Sequence, residues 1–243
     1  MILLSLDFET TGTNKQEDHV IEYGGVLYST SQHKCLDSQG ILVNTDRPIT
    51  PEITKITGIT KAALDRFGYS QSAALAVILE TMMDADAILG YNVRRFDKPV
   101  LQAWLTRQDK TPGRIHPLWI DVFADLPWNV PVSTLTHTAA DHGILNLFPH
   151  SAMADAQTAL VLAGKYDYEE LLHRAQAPVV ILRSHQEMGN NDAVKQAPFR
   201  FRWNPPRKIW WKPVKNEDVK EVMEQAPFRI TIEKDLSIEE LDQ

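Results

Sequence analysis

A chain of 243 residues, 43% hydrophobic and 23% charged, holds enough apolar material for one substantial core and a small second unit, which excludes a disordered polymer. Its formal net charge of −7 argues against a protein whose whole surface grips nucleic acid, but the charge is uneven: residues 1–177 carry 14 Lys/Arg against 21 Asp/Glu, and residues 178–243 carry 11 of each. A single cysteine, Cys35, excludes an intramolecular disulfide framework and fits a reducing interior, so a cytoplasmic setting is expected.

The opening Met-Ile-Leu-Leu-Ser-Leu-Asp lacks a basic residue and meets an acid at Asp7, so it reads as a strand rather than a signal peptide. No apolar run reaches the roughly 20 residues that span a bilayer, so no membrane partner is expected. Strands are predicted at Ile2 to Phe8, Val20 to Tyr28 and Gly40 to Asn44, forming a meander. Thr60 and Ser70 are candidate N-caps for helices at 61–66 and 71–83. A short strand at 86–90 leads into a helix at 96–108, the βα pattern of an α/β layer, and Pro112-Gly113 marks a turn. Residues 115–122 suit a strand or loop, 126–131 a connection, 134–142 a helix and 152–172 a longer helix. The order predicts a mixed central sheet covered by helices over 1–177.

After residue 177 the pattern changes. Strand 179–183, helix 190–196, a hairpin of 199–203 with 208–214, helix 216–225 and strand 228–233 predict a small α+β unit of βαββαβ order over 178–235. Gln196-Ala197-Pro198-Phe199-Arg200 recurs as Gln225-Ala226-Pro227-Phe228-Arg229, which fits either similar helix-to-strand junctions or an internal duplication. The acidic tail, 236–243, is expected to fray.

Three acidic segments carry the chemistry. Asp7 and Glu9 lie two apart on a strand, so both face one side and invite a cation, although acids at strand ends also serve as plain solvent-facing groups. Asp97, in Asn92-Val93-Arg94-Arg95-Phe96-Asp97, stands where the chain leaves the sheet and enters a helix, the crevice in which α/β proteins bind ligands; a first-turn acid also answers the helix dipole. In His150-Ser151-Ala152-Met153-Ala154-Asp155 the histidine precedes a helix and the acid lies in its second turn.

Together these segments resemble the three motifs of the DnaQ-like, or DEDDh, exonuclease family, which includes the proofreading subunit of bacterial DNA polymerase III and exodeoxyribonuclease X. Asp7-Phe8-Glu9-Thr10-Thr11-Gly12 is similar to the first motif, Asn92 with Phe96-Asp97 to the second, and His150 with Ala152 and Asp155 to the third. Ile56-Thr57-Gly58-Ile59-Thr60 resembles a stretch common between the first two. The resemblance covers about residues 1–172 and implies a ribonuclease-H-like α/β fold and 3′–5′ hydrolysis of a nucleic acid with a free 3′ end, releasing nucleoside 5′-monophosphates. It implies Asp7, Glu9, Asp97 and Asp155 as metal carboxylates, His150 as general base, and Thr10 and Thr11 as contacts for the terminal nucleotide. Tyr91, near the second motif, is the alternative base; relatives with a catalytic tyrosine carry it in the third motif, where this chain has His150. Four carboxylates make a hard oxygen site for Mg²⁺ or Mn²⁺, and two ions per site would orient a phosphate and stabilise the departing oxygen. DNA, as single strands or frayed ends, is the expected polymer and RNA the alternative, because nothing here reads a 2′-hydroxyl. A non-catalytic role in binding nucleic acid, or in docking to a replication or repair protein, is the reading from a different class.

The densest basic and aromatic stretch lies in the second unit. Arg200, Arg202, Trp203, Lys208, Trp210 and Lys212 are candidate nucleic-acid contacts, with one sheet face expected to close a small core and the other to offer Lys/Arg to phosphates and an exposed tryptophan to bases. Homodimerisation or protein docking through 178–235, and a purely structural cap, are the alternatives. No segment matches the long polymerase-binding tail of the proofreading subunit.

Overall fold

The computed structural model describes residues 1–110, 115–186 and 192–241, so the Pro112-Gly113 turn and the start of the helix expected at 190–196 lie outside the described residues. The chain forms two compact units. One comprises residues 1–124 and 132–175, the other 125–131 and 176–243.

In the first unit, β1 (Ile2–Thr10), β2 (Val20–Ser29), β3 (Lys34–Leu42), β4 (Ala87–Gly90) and β5 (Trp119–Asp121) form one mixed sheet in the order β3-β2-β1-β4-β5. β1–β2 and β2–β3 are antiparallel, whereas β1–β4 and β4–β5 are parallel. Strand alternation splits β1 in two: Leu4, Leu6 and Phe8 enter a core with Ile78, Val100 and Trp104, and Ser5, Asp7 and Glu9 face the other way. That core is closed by α3 (Gln71–Met83) and α4 (Asp97–Arg107). α1 (Pro51–Thr57) and α2 (Lys61–Phe67) are capped by Thr50 and Thr60, whose hydroxyls accept from Ile53 N and Ala63 N.

On the opposite face lies α7 (Ala152–Ala163), preceded by α5 (Val122–Asp125) and α6 (Leu135–Asp141). Ala152, Ala156, Ala159 and Ala163 form a buried small-residue stripe that lets the helix sit close to the sheet, and Ser5 Oγ donates to Ala156 O at 2.7 Å. Gly24 is obligatory: a Cβ there would lie 2.2 Å from Ala152 C and Met153 N. Because Gly24 pairs with Asp7, this contact puts the start of α7 over the first acidic pair.

In the second unit, β6 (Val179–Ser184), β7 (Arg202–Asn204), β8 (Ile209–Lys215) and β9 (Ile230–Glu233) form an antiparallel sheet in the order β7-β8-β6-β9. With α9 (Asp192–Lys195) and α10 (Val219–Gln225), the chain order is the expected βαββαβ. The repeated pentapeptides are both helix-to-strand junctions, and their phenylalanines meet in one core, Phe199 and Phe228 edge to face at 5.2 Å.

Several boundaries differ from expectation. β3 begins at Lys34 rather than near Gly40, because it is an exposed edge strand with little apolar content to reveal it. The helix expected over 152–172 breaks at Gly164 and restarts as α8 (Tyr168–Gln176), where Asp167 Oδ1 accepts from Glu169 N and Glu170 N. Residues 126–131 are not a mere connection, since Trp128 belongs to the core of the second unit. In the tail, α11 (Ile238–Leu241) is ordered and buries Leu241 against Ile181, Ile209 and Trp211.

Candidate active site

A cleft of about 550 Å³ lies at the C-terminal ends of β1 and β4, lined by Asp7, Glu9, His150 and Asp155 along with the rings of Tyr91 and Phe123. Glu9, His150 and Asp155 each bring a potential ligand atom within 4.8 Å of the other two. Asp97 is buried behind them, and its Oδ1 accepts from Phe8 N at 3.0 Å, tying α4 to β1 between the two first-motif acids. The three acidic segments, separated by about 60–90 residues in the chain, are thus brought to one place.

His150 sits at φ +64, in left-handed backbone rarely adopted by a non-glycine residue. Its N–H donates to Asp155 Oδ2 at 3.1 Å, and the Asn146 side-chain amide donates to Asp155 Oδ1. Asn146 Oδ1 in turn accepts from Phe148 N at 3.2 Å. The buried Asn146 therefore both orients the carboxylate and closes the turn that delivers the histidine.

Glu22 completes the arrangement from β2. It pairs with Glu9 across the strands, a like-charge juxtaposition that would otherwise be unfavourable, but its carboxylate accepts from Ala152 N at 3.1 Å and Ser151 Oγ at 3.4 Å at the start of α7. Asp121, at the end of β5, accepts from Asn92 N, Arg94 N and Phe123 N and so fixes the turn before α4. Sequence reasoning missed Glu22, Asn146 and Asp121. An acid inside the apolar run Val20-Ile21-Glu22-Tyr23 was the one visible signal among them.

The electrostatics are those of crowded anions. Burial, then Asp97, Asp155, Glu9 and Glu22, hold the Asp7 carboxyl well above the usual carboxylate range. Burial first, then Asp155, Glu22 and Asp97, push Glu9 up to about 8. Burial also raises Asp97, Asp155 and Glu22, against the hydrogen bonds each accepts. Such a cluster binds protons unless a cation takes their place, and its oxygen-rich donors suit a hard divalent ion. The residues fit the metal site that the sequence implied.

Other sequence candidates fall elsewhere. Tyr91 OH contacts Ser133 O at 2.9 Å and Thr138 Oγ1 at 2.8 Å, and its ring packs edge-on to Phe123, so it anchors α6. Thr10 and Thr11 are buried; Thr10 Oγ1 donates to Gly12 O, and Thr11 Oγ1 donates to Asp18 at 2.7 Å, so both hydroxyls serve their own loop.

In the second unit both sheet faces are covered. Trp210 is 4% exposed in a core with Trp128, Phe199 and Phe228, and Trp211 is 1% exposed in the core capped by Leu241. The exposed stacking tryptophan expected at Trp210 is therefore corrected: large side chains on both faces find a covering layer. Trp203 is half-buried against Trp210 at 5.1 Å. Arg202 lies over Trp211, and Lys212 lies over Trp128 while donating to Pro198 O at 3.0 Å. Burial lowers Lys212 to about 8. Arg200 and Lys208 are exposed.

Comparison with known proteins places this geometry among relatives. The exonuclease family model RNase_T matches residues 4–163. The chain is 30% identical over 135 residues to the PolC-type DNA polymerase III of Mycoplasma pneumoniae, and 33% identical over 102 residues to that of Thermotoga maritima. These matches cover 56% and 42% of this chain but only 9% and 7% of the polymerases. Among solved structures, Escherichia coli exonuclease I in complex with a dT13 oligonucleotide superimposes with a TM-score of 0.62 at 20% identity, covering 78% of this chain and 49% of that one. A moderately thermophilic exonuclease I from Methylocaldum szegediense gives 0.61 at 19% identity, with 79% and 49% covered. At these identities the likeness establishes a shared fold.

Proposed function

The chain belongs to the exonuclease family, of DnaQ-like (DEDDh) type, and from that membership and its acidic cleft we propose that it is a metal-dependent 3′–5′ exonuclease acting on single-stranded or frayed DNA ends. The observation that carries the proposal is the convergence of Asp7, Glu9, His150 and Asp155 on one cleft, with Asp97 tied behind them. The oligonucleotide bound by the E. coli relative supports DNA as the polymer.

In this reading Asp7, Glu9, Asp97 and Asp155 hold Mg²⁺ or Mn²⁺, two ions per site. When bound, the metal supplies charge that polarises the phosphate and stabilises the leaving oxygen. Asn146 and the His150 N–H hold the Asp155 carboxylate in one orientation. His150, kept beside Glu9 and Asp155, takes the proton from the water that attacks phosphorus on one of its ring nitrogens. The bond from phosphorus to the 3′ oxygen breaks and that oxygen takes a proton from solvent water, leaving a nucleoside 5′-monophosphate and a shortened strand with a 3′-hydroxyl. Thr10 and Thr11 are proposed to shape the seat of the terminal nucleotide through their loop, and Arg200, Arg202, Trp203, Lys208 and Lys212 to make a second contact region over the buried Trp210. Within that region Arg200 and Lys208 are the most accessible and Trp210 acts as support.

Strands labelled at the 5′ or the 3′ end, in DNA and RNA forms, test the proposal in Mg²⁺, Mn²⁺ or chelator. A metal-dependent ladder from the 5′ label and mononucleotide from the 3′ label are expected on DNA; no hydrolysis of any strand in either metal would falsify the enzyme reading. Gly24→Ala is expected to push the start of α7 outward and cut turnover by ~10²-fold, since displacements near 1 Å carry about that penalty. Undiminished kcat in a variant with native circular dichroism would refute this account of Gly24.

The raised carboxyls also set a pH dependence. A carboxyl whose folded value exceeds its unfolded one stabilises the fold at low pH and loses that contribution as pH rises through the folded value. For Glu9 that window runs from 4.5 to about 8. Without metal, Tm is therefore expected to fall between about pH 5 and about pH 8, and saturating Mg²⁺ to raise Tm more at the higher pH. Differential scanning fluorimetry with and without chelator reads both; a Mg²⁺ effect that shrinks with rising pH contradicts it.

A further inference from the structure

Two arginines stand side by side on the turn between β4 and α4, and the turn gives them different tasks. Asp121 pins this turn through Asn92 N at 2.8 Å and Arg94 N at 3.1 Å, and the Asn92 carbonyl accepts from both Arg95 N and Phe96 N at 3.1 Å. Arg94 folds back into the unit: its Nε lies 4.0 Å from the Asp121 carboxylate and its Nη1 donates to Ala175 O at 3.3 Å. Arg95 is exposed and lines the cleft that holds Asp7, Glu9 and Asp155. Among the described residues lining this cleft it is the one guanidinium.

A nucleic-acid strand brings a negative charge at every linkage, and the carboxylates of the cleft repel each of them. Cations held by those carboxylates answer the linkage that is cut. The linkage beside it needs a fixed positive group of its own, and a guanidinium offers paired N–H donors that match two phosphate oxygens. Phe123 and Tyr91, rings 5.6 Å apart at 79°, line the same cleft and supply apolar surface for a base. We infer that Arg95 grips the uncut phosphate adjoining the one hydrolysed, and so sets how far the 3′ end enters the cleft. This rests on the exonuclease reading given above.

The full chain, with Ca²⁺ in place of Mg²⁺, is titrated with a 5′-fluorescent single DNA strand at several salt concentrations, and binding is read by anisotropy. Arg95→Gln is expected to weaken binding ~10-fold, as befits one charge-assisted hydrogen-bonding contact. It should also flatten the slope of log K against log salt by about 0.7, the share of one phosphate contact on a single strand. A methylphosphonate at the linkage next to the terminal one should weaken binding to the unaltered chain and leave Arg95→Gln unaffected. Arg95→Lys should recover the slope and part of the affinity, and Arg94→Gln should lower Tm while keeping the slope. In Mg²⁺, KM for the same strand should rise with Arg95→Gln. An unchanged slope, or a methylphosphonate penalty equal in both proteins, overturns the assignment of Arg95 while hydrolysis in Mg²⁺ stays intact. Failure of the unaltered chain to hydrolyse any strand would instead overturn the exonuclease reading itself.

Discussion

Asp7→Asn is expected to lower hydrolysis by at least ~10³-fold while raising the Tm of the metal-free protein, two effects of opposite sign from one substitution. The loss follows from removing a carboxylate from a donor set that the proposed chemistry needs complete. The gain follows from the same setting: burial first, and then the charges of Asp97, Asp155, Glu9 and Glu22, hold the Asp7 proton on well above the usual carboxylate range. A neutral amide of the same shape relieves that conflict, and each kcal/mol relieved is worth about 2–4 °C in a chain of this size. Added Mg²⁺ should then stabilise the variant less than the unaltered chain. Steady-state hydrolysis and thermal melts with and without Mg²⁺ separate the two arms. Undiminished cutting would remove Asp7 from the site, and a lowered metal-free Tm would refute the repulsion account.

The second large effect lies in the other unit. Lys215 Nζ meets Asp125 Oδ1 at 2.9 Å with both side chains buried, 5% and 0% exposed. Lys215→Ala removes this ammonium from a carboxylate in a space closed to water, and is expected to destabilise the fold by about 3–5 kcal/mol. Replacing both partners together, Lys215→Met with Asp125→Leu, should cost much less, because hydrophobic groups of similar volume carry no desolvation penalty. Urea unfolding of the single and double variants gives the comparison. A single-variant loss below about 1 kcal/mol would mean that the pair behaves like a solvent-screened surface contact.

Residues whose role depends on spacing along one element were legible in the sequence. Asp7 and Glu9 share a strand face because they are two apart, and Asp97 opens a helix where the chain leaves the sheet. Roles that depend on register or on a distant partner were not legible. Nothing local says that Gly24 pairs with Asp7 and makes room for Ala152, or that Glu22 from a strand caps a helix some 130 residues later while Ser151 turns its hydroxyl to that carboxylate. The positive φ of His150 is likewise a product of the turn closed by Asn146. α1 is a different case: Thr50, Pro51 and Gly58 supply an N-cap, a first-turn proline and a left-handed C-cap, yet the helix buries no residue and so shows no apolar stripe. Alternation placed Trp210 and Trp211 on opposite faces of β8, but a period of two is silent on whether a second layer covers either face.

The segment 125–131 leaves the first unit between β5 and α6, gives Trp128 and Asp125 to the second, and returns. The second unit is therefore stitched from two stretches of chain and is not a detachable appendage. A chain truncated near residue 177 would keep a tryptophan and an aspartate whose packing partners had been cut away, so its aggregation or lost activity would not reveal what the missing part does. Exchanging this unit between relatives would require transplanting the short loop with the long segment.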